Sequence, residues 1–247
     1  MDLTDDHFLD RTLLVKQPKS GFRSGADAVL LAAAIDAKPG QSVLELGMGV
    51  GVASLCLAYR VPNLLIAGLE IQETYAALAK DNATANGFDF DVLCGSVNSV
   101  PDHLNAKNFD HVFMNPPYYR GGEWTETEEH GKNIALGESA DLNDWLDTAT
   151  KRLKPRGYLT IIQKANRLTD VLRSADSRLG SCEVKPIAPR VGKAAELVII
   201  RFRKGGRADP ILHAPLILHL GEKHKQDAAH PTPEAEAIFR SGEKLEF

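Results

Sequence analysis

The chain has 247 residues, of which 43% are hydrophobic and 25% charged, and a formal net charge of −4. That size supports one large domain with its own core, the composition is that of a globular protein, and the acidic balance excludes a protein that coats nucleic acid over its whole surface. No apolar run approaches the roughly 20 residues of a membrane span, the acidic start Met1-Asp2-Leu3-Thr4-Asp5-Asp6 lacks the apolar stretch of a signal peptide, and Cys56, Cys94 and Cys182 are too scattered for a disulfide framework or a metal site.

Residues 1–40 read as an N-terminal extension with a helix over Ala26–Ile35 that starts near Asp27. From residue 41 onward, short apolar runs alternate with helical patterns, as in βαβ units around a parallel sheet. Strands are predicted at Ser42–Gly47, Leu64–Glu70, Phe90–Cys94, His111–Met114 and Tyr158–Ile162. Helices are predicted over Val52–Tyr59, Thr74–Asn86 and Leu142–Leu153. Asp141 is a natural N-cap for the last of these, and Leu142, Trp145, Leu146, Ala149 and Leu153 share one face at helical spacing, as core residues do.

Ser181–Ile187 and Glu196–Phe202 are strand-like with no helix-length segment between them. They predict an antiparallel hairpin closing the sheet, with Arg190-Val191-Gly192-Lys193 at its tip. An apolar run from Ile211 to Leu220 follows, then a short helix opened by Thr232-Pro233-Glu234 and stopped by Gly242. The polar segment Arg120–Ala140 is long for a connection, and reads either as a lid ordered by substrate or as a plain surface loop. The expected fold is α/β and Rossmann-like. It has a seven-stranded, mostly parallel sheet with a C-terminal antiparallel hairpin and helices on both faces. Residues 41–205 form its core and 206–247 a C-terminal appendage.

The most informative residues are Asn115-Pro116-Pro117-Tyr118, directly after the fourth strand. The prolines fix two φ angles and remove two backbone donors, and a residue before a proline is kept extended. What such a turn offers is acceptor-only: the Asn115 side-chain oxygen and the Pro116 carbonyl. Two acceptors side by side suit a planar –NH2 group, and Tyr118 supplies a flat face for the ring that carries it. Upstream, Glu45-Leu46-Gly47-Met48-Gly49-Val50-Gly51 joins a strand to a helix, with glycines where backbone must turn tightly and approach a ligand. Glu45 is placed to accept bonds from a cationic amino-acid group, and Glu70, ending the second strand, to accept from ribose hydroxyls. Dinucleotide binding is the competing reading, but the full Gly-x-Gly-x-x-Gly pattern is absent.

Together these motifs resemble the class I S-adenosylmethionine-dependent amino-methyltransferases. More narrowly, Gln17-Pro18-Lys19-Ser20-Gly21-Phe22-Arg23-Ser24-Gly25-Ala26-Asp27-Ala28-Val29-Leu30-Leu31 and the doubled Tyr118-Tyr119 resemble bacterial tRNA adenine-N(6) methyltransferases that act on valine tRNA. The resemblance implies that Glu45, Gly47, Gly49 and Glu70 hold S-adenosylmethionine, with Arg23 and Asp27 over its methionine end and residues 1–40 packed on the cofactor side. It implies that Asn115 and Pro116 accept from the target amine while Tyr118 stacks on the base. Where relatives carry an acid that bonds the cofactor's adenine amine, this chain has Ser96, a weaker acceptor.

The implied partner is RNA, with tRNA foremost, in the cytoplasm. Two basic clusters offer backbone contacts: Lys185, Arg190, Lys193, Arg201, Arg203, Lys204 and Arg207, and Lys151, Arg152, Lys154 and Arg156. The same turn also serves enzymes that methylate glutamine amides of release factors or guanine amines of ribosomal RNA. The first rival needs a longer helical N-terminal domain and the second more often ends its turn in Phe. A binding module without activity would need a broken motif.

Overall fold

The structure, a computed structural model, describes residues 2–117, 140–221 and 230–247. Tyr118, Tyr119 and nearly all of the polar segment 120–140 lie outside these residues.

The chain opens with a hairpin of β1 (Leu3–Phe8) and β2 (Leu13–Pro18), followed by helix α1 (Ala26–Ala33). The main sheet then builds through β3 (Ser42–Leu46), α2 (Val52–Arg60), β4 (Leu65–Glu70), α3 (Glu73–Ala85), β5 (Phe90–Cys94), the single turn α4 (Asp102–Asn105) and β6 (Phe109–Met114). It continues with α5 (Leu142–Arg152), β7 (Leu153–Lys164), α6 (Leu168–Ser174), β8 (Leu179–Ala188) and β9 (Leu197–Lys204). From one edge the strands run β5-β4-β3-β6-β7-β9-β8, and β9 alone is antiparallel to its neighbours. Two short strands, β10 (Ile211–Leu212) and β11 (Leu216–Ile217), extend β8.

Alternate residues of the strands enter two separate cores, so the sheet is covered on both faces. Val43, Ile66, Phe90, Phe113, Ile162 and Ile199 pack under α1, α2 and α3. Leu44, Leu69, Val112, Ile161 and Ile200 face α5, whose Leu146 and Ala149 are buried among them. Trp145 and Leu142 are only partly buried at the edge of that second core. Asp141 and Asp144 form a reciprocal capping box at the start of α5.

Order reverses between β3 and β6: the chain winds outward to β5, then returns to the other side of β3. This switch point opens a crevice at the carboxyl ends of the parallel strands, where α/β folds bind ligands. The N-terminal hairpin is tied to that end through α3. Asn82 pairs with both backbone groups of Lys16 and also donates to the Val50 carbonyl, at 2.9–3.1 Å. At the C-terminus, Thr232 caps a turn of helix, α7 (Pro233–Glu236), and Gly242 ends the following π-turn with φ 69°. The Leu245 amide then donates to the Ala33 carbonyl at 2.9 Å, fastening the tail to α1.

Candidate active site

The registers Leu46↔Leu69 and Leu46↔Met114 put the ends of β4, β3 and β6 side by side. Glu70, Gly47 and Asn115, far apart in sequence, therefore leave the sheet as neighbours. All three glycines of the first turn occupy the left-handed region: Gly47 at φ 69°, Gly49 at 57° and Gly51 at 90°. A side chain there would be strained by its own backbone. Space adds a second constraint, since a Cβ at Gly47 would lie 2.7 Å from the Trp145 ring. Trp145, read from sequence as core, is thus also a wall of the site. Gly68 on β4 is equally constrained: its missing Cβ leaves room for the Met48 thioether, which would otherwise sit 2.3 Å away. The Gly47 and Met48 amides both donate to the Leu69 carbonyl, at 2.8 and 3.1 Å, and pull the turn onto β4.

Glu70 is 6% exposed and accepts from the Gly49 amide at 2.8 Å and the Gln72 amide at 3.0 Å. Burial raises its pKa, against those backbone bonds. Glu45 is placed differently from the expectation of a ligand-facing acid. Its carboxylate turns under the turn to accept from the Ser54 hydroxyl at 2.6 Å and the Ser54 amide at 3.2 Å. It supplies the start of α2 with the cap that Gly51 cannot provide. Burial, reinforced by the nearby Glu70 charge, pushes the Glu45 carboxyl up to about 8 in spite of the two bonds from Ser54.

The segment after β2 folds over the glycine turn. Phe22 and Ser24 lie nearest to Gly49, and the Phe22 carbonyl accepts from the Tyr75 hydroxyl at 3.1 Å. Buried Gln17 holds Ser24 by a pair of bonds, 2.8 Å to its amide and 3.2 Å to its carbonyl. Arg23 is turned to the hairpin instead of the turn, donating to Thr4 at 2.8 Å, to the Pro18 carbonyl at 2.7 Å and to Asp6. Asp27 is half-buried in the first turn of α1.

At the end of β6, Asn115 Oδ1 is buried and accepts no hydrogen bond among the described residues. A buried acceptor without a donor is costly and uncommon. The Pro116 carbonyl accepts from Gln163 Nε2 at 2.8 Å. Gln163 lies at the end of β7, 1% exposed, and was not singled out from the sequence. A polar residue closing the apolar run Leu159-Thr160-Ile161-Ile162 was the available signal. Ser96 follows β5 and is buried, its Oγ accepting from the Asn98 amide at 3.2 Å. Beyond Glu70, Ile71, Cys94, Gly95, Ser96, Pro101 and Asp102 help to line a cavity of about 610 Å³.

The Arg201–Arg207 part of the first basic cluster meets the Lys151–Arg156 cluster at the other end of the sheet, where the Arg203 side chain donates to the Arg156 carbonyl at 3.3 Å. Because β9 runs antiparallel, Arg203 lies opposite Tyr158, near the start of β7, while the Asn115-Pro116 turn stands at the strand ends. Several of these cations serve the fold. Lys204 caps the end of α5 through the Thr150 and Leu153 carbonyls, both at 2.7 Å, and Arg201 pairs with Glu183 at 2.9 Å. Lys154 pairs with Asp110 at 2.8 Å and Lys151 with Asp147 at 2.7 Å. Arg190 is buried, donating to the Leu220 and Gly221 carbonyls. Lys193, exposed at the β8–β9 tip, remains at the same end of the sheet as the Asn115-Pro116 turn. Among the described residues no helix is long and apolar enough to cross a membrane.

Comparison with known proteins agrees with this geometry. Curated relatives include tRNA1(Val) (adenine(37)-N6)-methyltransferases. That of Porphyromonas gingivalis is 27% identical, covering 82% of this chain and 83% of its own, and that of Actinobacillus pleuropneumoniae is 27% identical, covering 79% and 82%. Among solved structures, a predicted O-methyltransferase from Agrobacterium tumefaciens superposes with a TM-score of 0.69 at 26% identity, covering 89% of this chain and 98% of that one. Residues 23–185 match the family model of the methyltransferase small domain, and the chain belongs to that family.

Proposed function

We propose that this member of the methyltransferase small domain family transfers a methyl group from S-adenosylmethionine to N6 of an adenine in tRNA. The observation that carries the reading is Asn115 Oδ1, buried beside the glycine turn and without a hydrogen-bond donor among the described residues. An exocyclic amine has two donors to give, and the turn has two acceptors: Asn115 Oδ1 and the second lone pair of the Pro116 carbonyl. A hydroxyl acceptor, the kind named for the Agrobacterium protein, has one proton and would leave half of this arrangement unused. The relatives named for adenine N6 in a tRNA support the choice of ring and polymer.

The cofactor supplies an electrophilic methyl group on a sulfonium. The residues present fit it: a glycine turn in which side chains are excluded, a carboxylate at the end of β4 for a ribose diol, and an adjoining cavity of nucleoside size. Glu45 supports the site from beneath, holding α2 in place. An aromatic amine is a poor nucleophile because its lone pair is delocalised into the ring. Acceptors on both N–H bonds favour a pyramidal nitrogen and point the lone pair at the methyl. Positioning within attack distance supplies much of the remaining acceleration. The nitrogen gains the methyl as the sulfur–methyl bond breaks, and the now acidic N–H proton passes to water, so no strong base is needed.

A base in RNA must leave its stack to reach this crevice, and Tyr118, outside the described residues, is assigned the stacking role. The basic clusters at the far end of the sheet serve RNA only away from the reacting base, whereas Lys193 stands where flanking phosphates would pass. Cytoplasmic residence follows from a tRNA substrate. Incubation of the protein with labelled S-adenosylmethionine and total tRNA, followed by nucleoside analysis, tests the reading. N6-methyladenosine in a tRNA is expected, while label entering only release factor or ribosomal RNA would overturn it.

A further inference from the structure

We propose that Asp102 is the residue that reads the exocyclic amine of the cofactor's adenine, in the role that Ser96 would otherwise hold. The inference rests on membership in the methyltransferase family and is independent of which acceptor is methylated.

The cavity beyond Glu70 begins at Ile71, the next residue on the chain, so a ribose held at the end of β4 would deliver its base there. Its walls suit a purine. Ile71 is 44% exposed and offers an apolar face, and Val100 and Pro101 add further apolar lining. An adenine edge then needs an acceptor for its amine. Ser96 is poorly placed for that work, being 5% exposed and already accepting from the Asn98 amide.

The chain after Ser96 folds back on itself. The Ser99 amide donates to the Ser96 carbonyl at 3.1 Å, and the two residues form an isolated bridge. Gly95 permits the return: a Cβ there would lie 2.8 Å from the Pro101 ring. Closing Pro101 against Gly95 seats Asp102 on the rim of the same cavity. Asp102 is exposed, and its carboxylate makes no hydrogen bond or ion pair among the described residues. It is also the one anionic side chain among the residues that line the cavity. A carboxylate accepts more strongly than a hydroxyl, so of the two residues on this cavity Asp102 is the stronger acceptor for an amine. Gly95-Ser96-Val97-Asn98-Ser99-Val100-Pro101-Asp102 therefore works as one unit, in which the glycine and the proline bring the acid back to the base.

The test is calorimetric binding of S-adenosylhomocysteine and of its hypoxanthine counterpart, which lacks the exocyclic amine, to the intact chain. Wild type should prefer the adenine compound by about tenfold or more, the scale of one charge-assisted hydrogen bond. Asp102→Ala should lose most of that preference by weakening the adenine compound while leaving the hypoxanthine compound within about twofold. Asp102→Asn, whose amide can donate to the hypoxanthine carbonyl, should narrow or invert the preference. An unchanged preference in both Asp102 variants, or its collapse in Ser96→Ala alone, would overturn the assignment. Asp102 is exposed, so both Asp102 variants should keep the wild-type melting temperature. No methyl acceptor is present, and failure here is separate from failure of the RNA reading.

Discussion

Gln163 donates from its side-chain amide to the Pro116 carbonyl at 2.8 Å, and this one buried bond holds the turn to which the proposed chemistry is assigned. The pairing Met114↔Ile161 carries β6 and β7 in step to their ends, so Gln163 comes level with Pro116. Proline has no N–H to donate there, and its carbonyl is tied by a side-chain donor instead of by the ladder. The carbonyl keeps a second lone pair for a substrate amine.

Gln163 is therefore a positioning residue. Gln163→Leu keeps the volume and removes the donor. It should lower kcat by about 10- to 100-fold, the usual cost of a misplaced reacting group. Affinity for S-adenosylhomocysteine should stay within about twofold. A matched loss of cofactor affinity would mean that Gln163 supports the crevice as a whole and not the turn.

Asn115 makes the opposite kind of prediction, for stability. Its Oδ1 is buried with no donor among the described residues, so Asn115→Leu removes an unsatisfied acceptor. The variant should be as stable as wild type or more stable by up to about 1–2 kcal/mol in denaturant unfolding. A loss above about 2 kcal/mol would show that the side chain serves the fold.

Glu45 gives a pH dependence of definite sign. Its folded pKa of about 8 lies above the ordinary 4.5, chiefly through burial. Between those values the folded chain holds a proton that the unfolded chain releases. This contribution is complete below about pH 4.5 and is lost as the pH rises through about 8. It amounts to a few kcal/mol in order of magnitude. Glu45→Gln can still accept from Ser54 and does not titrate, so its melting temperature should fall less than that of wild type between about pH 5 and pH 8. Equal slopes in the two proteins would contradict the assignment.

Gly68 tests the packing beneath the glycine turn. In Gly68→Ala the new methyl would fall 2.3 Å from the Met48 thioether, forcing Met48 out from between Gly47 and Gly49. The expected cost is about 1–3 kcal/mol of stability, with weaker cofactor binding alongside. Adding Met48→Ala should restore part of the cofactor affinity, because the two sites share one contact. No recovery in the double variant would mean that another contact is responsible.

Much of this site is legible in the sequence because its constraints are local. Gly47, Gly49 and Gly51 stand where φ is positive, and a proline pair announces its own turn. The strands were readable because burial on both faces demands unbroken apolar runs. The N-terminal hairpin was not. Leu3–Phe8 alternates polar residues on an edge strand, and its reversal uses Leu9, Asp10 and Arg11 at φ 49°, 50° and 68°, without a glycine to mark it. Leu9 is 1% exposed, so burial against the C-terminal turn holds a conformation that local preference disfavours.

What the sequence concealed is direction and reach. Arg201–Arg207 looked like an RNA contact, but the antiparallel course of β9 carries it away from the catalytic edge, and Lys204 and Arg201 are spent on the fold. Glu45 stood at the spacing of a ligand-binding acid, yet Ser54, nine residues on, draws it under the turn. Gln163 and Asp102 reach the site through strand register and a folded loop, and neither leaves a spacing to read.

The most direct measurement is the rate of N6-methyladenosine formation in tRNA by wild type and by Asn115→Ala, at equal cofactor saturation and with melting temperatures compared. Modification by wild type and a loss of about 100-fold or more in the variant, the scale of a removed transition-state hydrogen bond, is the expected result. Near-normal turnover by Asn115→Ala, with the fold intact, would contradict the role given to the Asn115–Pro116 acceptor pair.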